Sequence, residues 1–304
     1  MSVTPEEWRK RGKTIDLRDG SIFVVEMKGD GIPILVLHGF PTSSWDFARA
    51  ASLLADRGRH VIMFDFLGYG FSDKPHDAAY SLFEQAEVAI GVARAHGLKR
   101  AHLWAHDMGT SVATELLALR ERKLLPFDVK SVTLMNGSVH IEMANPTLGQ
   151  RLLKSPLGNA FARVSSKPMF VQQMRGIFSK SHPPSDAELD GMWSLLTRAD
   201  GQLRLPAIIS YMKERTRFRR RWIGALERLD IPMLVAWGEL DPVAKLAIAE
   251  RLARETPGAD LTTWSDLGHY PQVEAPDRVA STIGDFLARV EDGRASLTGP
   301  ESLR

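Results

Sequence analysis

The chain has 304 residues, of which 44% are hydrophobic and 25% charged, with a formal net charge of +2 and no cysteine. That length suits one large α/β domain with an inserted subdomain, or two domains. The near-even charge gives no global case for nucleic acid or an anionic membrane as partner, and the missing cysteines exclude disulfides and thiolate metal sites.

The N-terminal stretch MSVTPEEWRKRGKTIDLRDG is polar and charged. It has neither the apolar core of a signal peptide nor a run of about 20 apolar residues, so a cytoplasmic protein that engages no membrane is expected. Residues 22–28 and 33–37 read as strands, with Gly29, Asp30 and Gly31 between them as a hairpin turn. Helical periodicity follows at 44–56, a short apolar strand at 60–64, and a helix at 82–96 with Gly97 as its C-cap. Strand, helix and strand follow at 101–105, 109–122 and 129–135. From 139 to 226 no strand is evident; the segment is rich in Met, Phe, Arg, Pro and Ser and is helical wherever it has a period. Alternation returns with strands at 232–237 and 260–264 and helices at 243–255 and 276–290.

This pattern predicts a mostly parallel sheet flanked by helices. The core is formed by 1–138 and 227–292, a helical cap is inserted at 139–226, and a flexible tail covers 293–304. The inserted stretch is far too long for a plain loop, since loops rarely exceed ~15 residues.

The stretch AHDMG, residues 105–109, lies between a strand and a helix. That is the setting of a nucleophile elbow, but Asp107 stands where a serine is usual. Ala105 and Gly109 supply the small neighbours that close strand–helix packing needs, and the helix N-terminus favours an ionised carboxylate. Alone, Asp107 reads equally well as a helix cap. Three other loops change the weighing. LHGFP, residues 37–41, places the Phe40 amide toward the elbow, where with the Met108 amide it would form a two-donor oxyanion hole. Asp241 in WGELDPV and His269 in DLGHYPQVE each follow a strand. Asp107, Asp241 and His269 thus fall in the chain order nucleophile, acid, histidine of α/β-hydrolase triads.

HGFP, FDFLGYGFSDKP, AHDMG, WGELDPV and LGHYP carry a resemblance to the α/β-hydrolases with an aspartate nucleophile, the epoxide hydrolases and haloalkane dehalogenases. Within that group the chain resembles the mesoderm-specific-transcript-like hydrolases, over about residues 32–279 and including SLFEQ and RFRRRWIGAL. The resemblance implies an α/β-hydrolase fold with an inserted cap, and a covalent ester formed on Asp107. It also implies that cap tyrosines protonate an epoxide oxygen, whereas a halide is held by Trp or Asn donors beside the nucleophile. Here those two positions are Met108 and Phe40, which donate nothing useful from their side chains. Tyr211 is the one tyrosine of the cap. It is expected at the substrate unless it only packs, with His38, Trp45, His182 and Trp222 as further substrate contacts.

Other features have plainer readings. FLGYGFSD lacks the third glycine and the helix of a dinucleotide fingerprint. The basic run KERTRFRRRW reads as a solvated helix with ion pairs to the core. Met169, Phe170, Met174, Phe178, Met192 and Trp193 suit either a pocket lining or the core of the cap. No His/Asp cluster has metal-ligand spacing, so neither metal nor cofactor is expected. The expected function is hydrolysis of an apolar epoxide by a monomer or homodimer that binds no nucleic acid. The alternatives are haloalkane or haloacid dehalogenation, ester or lactone hydrolysis, and a non-catalytic binding protein on the same fold.

Overall fold

The structure is a computed structural model and describes residues 3–294. Eight strands form one sheet: β1 (Lys13–Leu17), β2 (Gly20–Met27), β3 (Asp30–Leu37), β4 (Arg59–Phe64), β5 (Arg100–His106), β6 (Asp128–Met135), β7 (Met233–Gly238) and β8 (Ala259–Trp264). Their order is β1-β2-β4-β3-β5-β6-β7-β8. The pairs β1/β2 and β2/β4 are antiparallel and all others parallel. The expected hairpin at 29–31 is therefore corrected: β2 and β3 are not neighbours, because β4 lies between them and pairs with both. The turn carries the chain across the end of β4, where the Asp30 amide donates to the Gly58 carbonyl at 2.8 Å.

The central strands are buried on both faces, as parallel strands under helices must be. Their side chains alternate between two apolar clusters. Leu35, Leu37, Leu103 and Val235 face one; Ile34, Val36, Trp104 and Leu234 face the other. The first cluster is covered by α3 (Leu82–Ala95), α4 (Met108–Glu121) and α12 (Leu246–Glu255). The second is covered by α1 (Pro5–Arg11), α2 (Ala48–Ala55), the short α13 (Pro271–Glu274) and α14 (Pro276–Glu291). α1 and β1 lie in a stretch for which the sequence suggested no element. Thr4 and Glu7 form a capping box at the start of α1, and Trp8 is its buried residue.

Between β6 and β7 only helices occur, consistent with the strandless stretch expected at 139–226. They are α5 (Leu148–Lys154), α6 (Gly158–Val164), α7 (Lys167–Arg175), α8 (Asp186–Thr197), α9 (Leu205–Ile208), α10 (Tyr211–Arg217) and α11 (Arg219–Glu227). Glu115, buried on α4, ties this insertion down: it accepts two hydrogen bonds from Arg221, at 2.6 and 2.7 Å, and one from the Trp222 indole at 2.8 Å. Within the basic run Arg221 thus pairs with the core as expected, whereas Arg219 pairs with Glu142 of the insertion itself; beyond the run, Arg228 pairs with Glu121. Most of the expected tail, residues 295–304, lies outside the described residues.

Candidate active site

The site forms where β3, β5, β6, β7 and β8 end. Asp107 occupies the turn from β5 into α4 with φ 45° and ψ −110°. That backbone region costs a non-glycine residue on the order of 1–3 kcal/mol and persists only where the surroundings enforce it. Here the enforcement is steric. A Cβ on Gly109 would sit 2.1 Å from the Leu37 carbonyl oxygen, and one on Gly39 would sit 2.7 Å from the Asp107 Cβ. The two glycines let β3, its following loop and α4 close around the turn. Asp107 does not act as a side-chain cap: its carboxylate makes no capping hydrogen bond to α4. Its Oδ2 instead accepts from the Phe40 amide at 2.9 Å, and its Oδ1 accepts no hydrogen bond from a described residue. The Met108 amide is the first of α4 and, as a first-turn donor, has no intrahelical partner.

Asp241 and His269 meet as the sequence predicted. The His269 Nδ1–H donates to Asp241 Oδ2 at 2.6 Å. Asp241 Oδ1 accepts the amides of Val243 and Ala244, at 2.7 and 2.9 Å. These bonds hold the chain in a loop, which is why the helix expected from 243 starts only at Leu246. Burial alone would lower the His269 pKa, but Asp241, Asp107 and Glu274 outweigh it and carry it up to about 9. The histidine loop is anchored by Glu274, whose carboxylate accepts the amides of Gly268, Tyr270 and Ser179 at 2.7, 3.0 and 3.0 Å.

Several contributors were given no role at the site from the sequence, where His106 read only as packing or hydrogen-bonding locally. Asn136, at φ 42° just past β6, donates to Asp241 Oδ2 at 2.8 Å and accepts from the Gly238 amide at 3.1 Å. His106 donates from Nε2 to the His269 carbonyl at 2.7 Å. Burial, and then His269, hold its pKa down to about 4, so it is a neutral strut. Tyr69 sets its hydroxyl 3.0 Å from the Met108 sulfur. Arg215 is 2% exposed and forms no salt bridge with a described residue. It donates to Ser111 Oγ at 2.7 Å and the Asp107 carbonyl at 3.2 Å, and its guanidinium stacks 4.6 Å from the Tyr211 ring centre.

Of the five expected substrate contacts, only Tyr211 lies beside Asp107. It is buried, its ring centre is 6.0 Å from that of Phe40, and its hydroxyl makes no hydrogen bond to a described residue. Burial, and then the charge of Asp107, push its pKa up, which keeps it a neutral donor. The other four are corrected. His38 is fully buried, donates to the Gly39 carbonyl and accepts from the Phe66 amide, both at 2.9 Å, so neither nitrogen is free. The Trp45 indole donates to the Val3 carbonyl at 2.9 Å and that of Trp222 to Glu115 at 2.8 Å. His182 sits on the outer surface beside Ser179, Ser181 and Asp266.

An apolar cavity of about 340 Å³ runs within the insertion, lined by Leu153, Phe161, Phe170, Trp193 and Leu205 and floored by Phe40 and Pro41. Phe40 therefore stands between this cavity and the carboxylate that its own amide holds.

An eight-stranded, mostly parallel sheet with a strained elbow, an Asp–His pair and an inward amide defines a hydrolase architecture. Residues 32–276 match the family described as alpha/beta hydrolase fold, and the chain belongs to it. It is 42% identical over 288 residues to putative hydrolase LipZ of Mycobacterium tuberculosis, covering 94% of this chain and 99% of that one. It is 36% identical over 286 residues to the mesoderm-specific transcript protein of Mus musculus, covering 91% and 85%. The fold is also that of haloalkane dehalogenase DbeA from Bradyrhizobium elkani, with TM-score 0.78, 22% identity and coverage of 93% and 99%. A putative lipase from Acinetobacter baumannii matches with TM-score 0.78, 24% identity and coverage of 95% of each chain.

Proposed function

We propose that the protein is a hydrolase that forms an ester between its substrate and Asp107, and that the substrate is an apolar epoxide. The observation that carries this reading is the Asp107 carboxylate itself, held at the elbow with Oδ2 on the Phe40 amide and Oδ1 free. A carboxylate can attack saturated carbon without a base to activate it.

In the first step Oδ1 attacks an epoxide carbon, the carbon–oxygen bond of the ring breaks, and the oxygen takes the Tyr211 hydroxyl proton. An alkoxide is a strong base, so a neutral phenol suits it as acid, and Arg215 over the ring favours the tyrosinate that results. In the second step His269 takes a proton from water, and the hydroxide attacks Cγ of Asp107. The negative charge forms on Oδ2, where the Phe40 amide already points. Collapse breaks the bond between Cγ and the ester oxygen, which takes the proton of the hydroxyl newly added to Cγ and leaves as a diol, restoring the Asp107 carboxylate, and the proton on His269 returns to the Tyr211 oxygen through solvent.

The high pKa of His269 fits this order. In the resting enzyme the charge of Asp107 helps hold a proton on the ring. Esterification neutralises that carboxylate and removes its share of the support, so the ring releases its proton more readily in the ester than in the resting enzyme, although the larger contribution of Asp241 remains. Halide chemistry is less well served, since the indoles of Trp45 and Trp222 are engaged elsewhere.

A single turnover of a long-chain epoxide in ¹⁸O-water, with enzyme in excess, tests the reading. The expected result is unlabelled diol and label on the peptide containing Asp107; label in the diol alone would mean that water attacks the substrate directly. His269→Gln should accumulate Asp107 carrying the mass of the substrate. Tyr211→Phe should lower epoxide turnover by about 10²–10⁴.

A further inference from the structure

Charge is near balance over the whole chain but not over the insertion. Between Glu142 and Asp186 there is no acidic residue, while Arg151, Lys154, Arg163, Lys167, Arg175 and Lys180 all fall there. Only Lys167 and Arg175 pair with carboxylates among the described residues, with Asp190 and Asp186. The same stretch exposes apolar side chains. Leu148, Leu157, Val164 and Met169 are 72%, 68%, 69% and 44% exposed, and the other large exposed apolar residues, Leu124, Leu240 and Leu261, lie elsewhere. Folded chains seldom leave such side chains clustered without a partner.

Two of the four stand at one opening, and the other two belong to the helix that contributes Phe161 to the same cavity. Leu148 and Met169 line the apolar cavity yet remain exposed, so they form its mouth. Leu157, the residue just before α6, and Val164, its last, lie two helical turns apart, on the stripe that also carries the cavity residue Phe161. The same helices, α5 to α7, carry the exposed cations Arg151, Lys154, Arg163, Lys167 and Arg175, so positive charge and an apolar rim share the elements that form the entrance of an apolar cavity. A second copy of this chain would meet the patch with the same positive charge, and a neutral apolar solute would have no use for it. A lipid surface with anionic headgroups satisfies both features at once, through shallow insertion of apolar side chains and attraction of the surrounding cations.

We propose that the α5–α7 face docks on anionic lipid surfaces, with the cavity mouth turned toward the lipid. This departs from the expectation of no membrane partner, because an even total charge conceals a local excess. The docking rests on the surface alone. That the substrate enters from the lipid rests in addition on the function proposed above.

Co-sedimentation of the whole protein with vesicles of mixed phosphatidylglycerol and phosphatidylcholine, and with pure phosphatidylcholine, tests it. The mixed vesicles should bind the protein and the neutral ones should bind it far less, with the difference shrinking at high salt. Lys154→Glu with Arg163→Glu changes the charge by four units and should weaken binding by about 600-fold, at roughly fivefold per unit charge. Leu157→Ser with Val164→Ser should weaken it on both kinds of vesicle, whereas Leu124→Ser should not. None of these residues lines the cavity or the triad, so turnover of a short, dissolved epoxide should be unchanged. Equal binding to both vesicle types, or binding indifferent to these variants, would overturn the proposal. So would a dimer in light scattering that the Leu157 and Val164 variants dissolve. Vesicle binding without epoxide turnover would leave the docking intact and remove the proposed chemistry instead.

Discussion

The proposed path from the cavity mouth to Asp107 has two ends built in opposite ways. At the inner end Asp107, Asp241 and His269 are 2%, 3% and 3% exposed, and backbone amides from several strand-end loops fix their carboxylates and the histidine loop. At the outer end the rim is made of α5, α6 and α7, seven, seven and nine residues long, with leucines facing outward. The sheet ends supply fixed geometry, which charge development on one carboxylate requires. The short helices supply a surface and a cavity, whose shape can vary without disturbing the inner end.

The sharpest way to break this comparison is to remove charge from the inner end while keeping its shape. Asn tolerates a positive φ and matches Asp in size, so Asp107→Asn should fold normally. It should lose about 10⁴-fold or more in turnover, the scale on which removal of a nucleophile is felt. Circular dichroism and single-turnover assays check the two halves of that statement. Residual activity within about tenfold would mean that the elbow carboxylate is not the attacking group.

The seam between the two regions comes next. Glu115→Ala leaves the Arg221 guanidinium and the Trp222 indole without their partner. Breaking a buried pair from one side costs about 3–5 kcal/mol. Denaturant unfolding should register most of that, with a larger relative loss of epoxide turnover than of vesicle binding, since α10 and Tyr211 adjoin this seam and α5–α7 do not.

The inner end was the more legible region because its parts are local. Asp107, Asp241 and His269 each follow a strand, and strand ends can be read from short apolar runs. The Phe40 amide was legible for the same reason. What was missed depends on distant partners. The turn at 29–31 contains the same residues whether β2 and β3 are neighbours or β4 lies between them. Trp222 offered a donor, but its acceptor Glu115 is 107 positions away. Arg215 was concealed in a run of like charges, of which it alone turns inward to Asp107. The capping box of Thr4 and Glu7 was present in the sequence, but a single apolar residue, Trp8, gave that helix too little periodicity to read.

A smaller effect concerns pH. His269 has a pKa in the folded chain of about 9, above the ordinary 6.5. A raised value means that protonation favours the folded state: the contribution is complete below about 6.5 and is lost as pH rises through 9. A shift of that size corresponds to roughly 3 kcal/mol. Denaturant midpoints should fall between neutral pH and pH 10, and the fall should be smaller in His269→Gln. An equal fall in both would place the titration elsewhere.

The smallest effect is expected at the rim, and it tests the contrast from its other side. Leu157 and Val164 are 68% and 69% exposed, so folding removes little of their apolar surface from water. Replacing either with Ser should change stability by no more than about 0.5 kcal/mol, the range of ordinary surface substitutions. Leu153, 7% exposed on the neighbouring α5, should lose about 2–5 kcal/mol when cut to Ala. Leucines at these two positions then differ only in what covers them. If Leu157→Ser destabilised the isolated protein as much as Leu153→Ala, something within the chain itself would have to cover Leu157 in solution. The apolar rim would then be interior surface of another arrangement of the insertion rather than a face kept open for lipid.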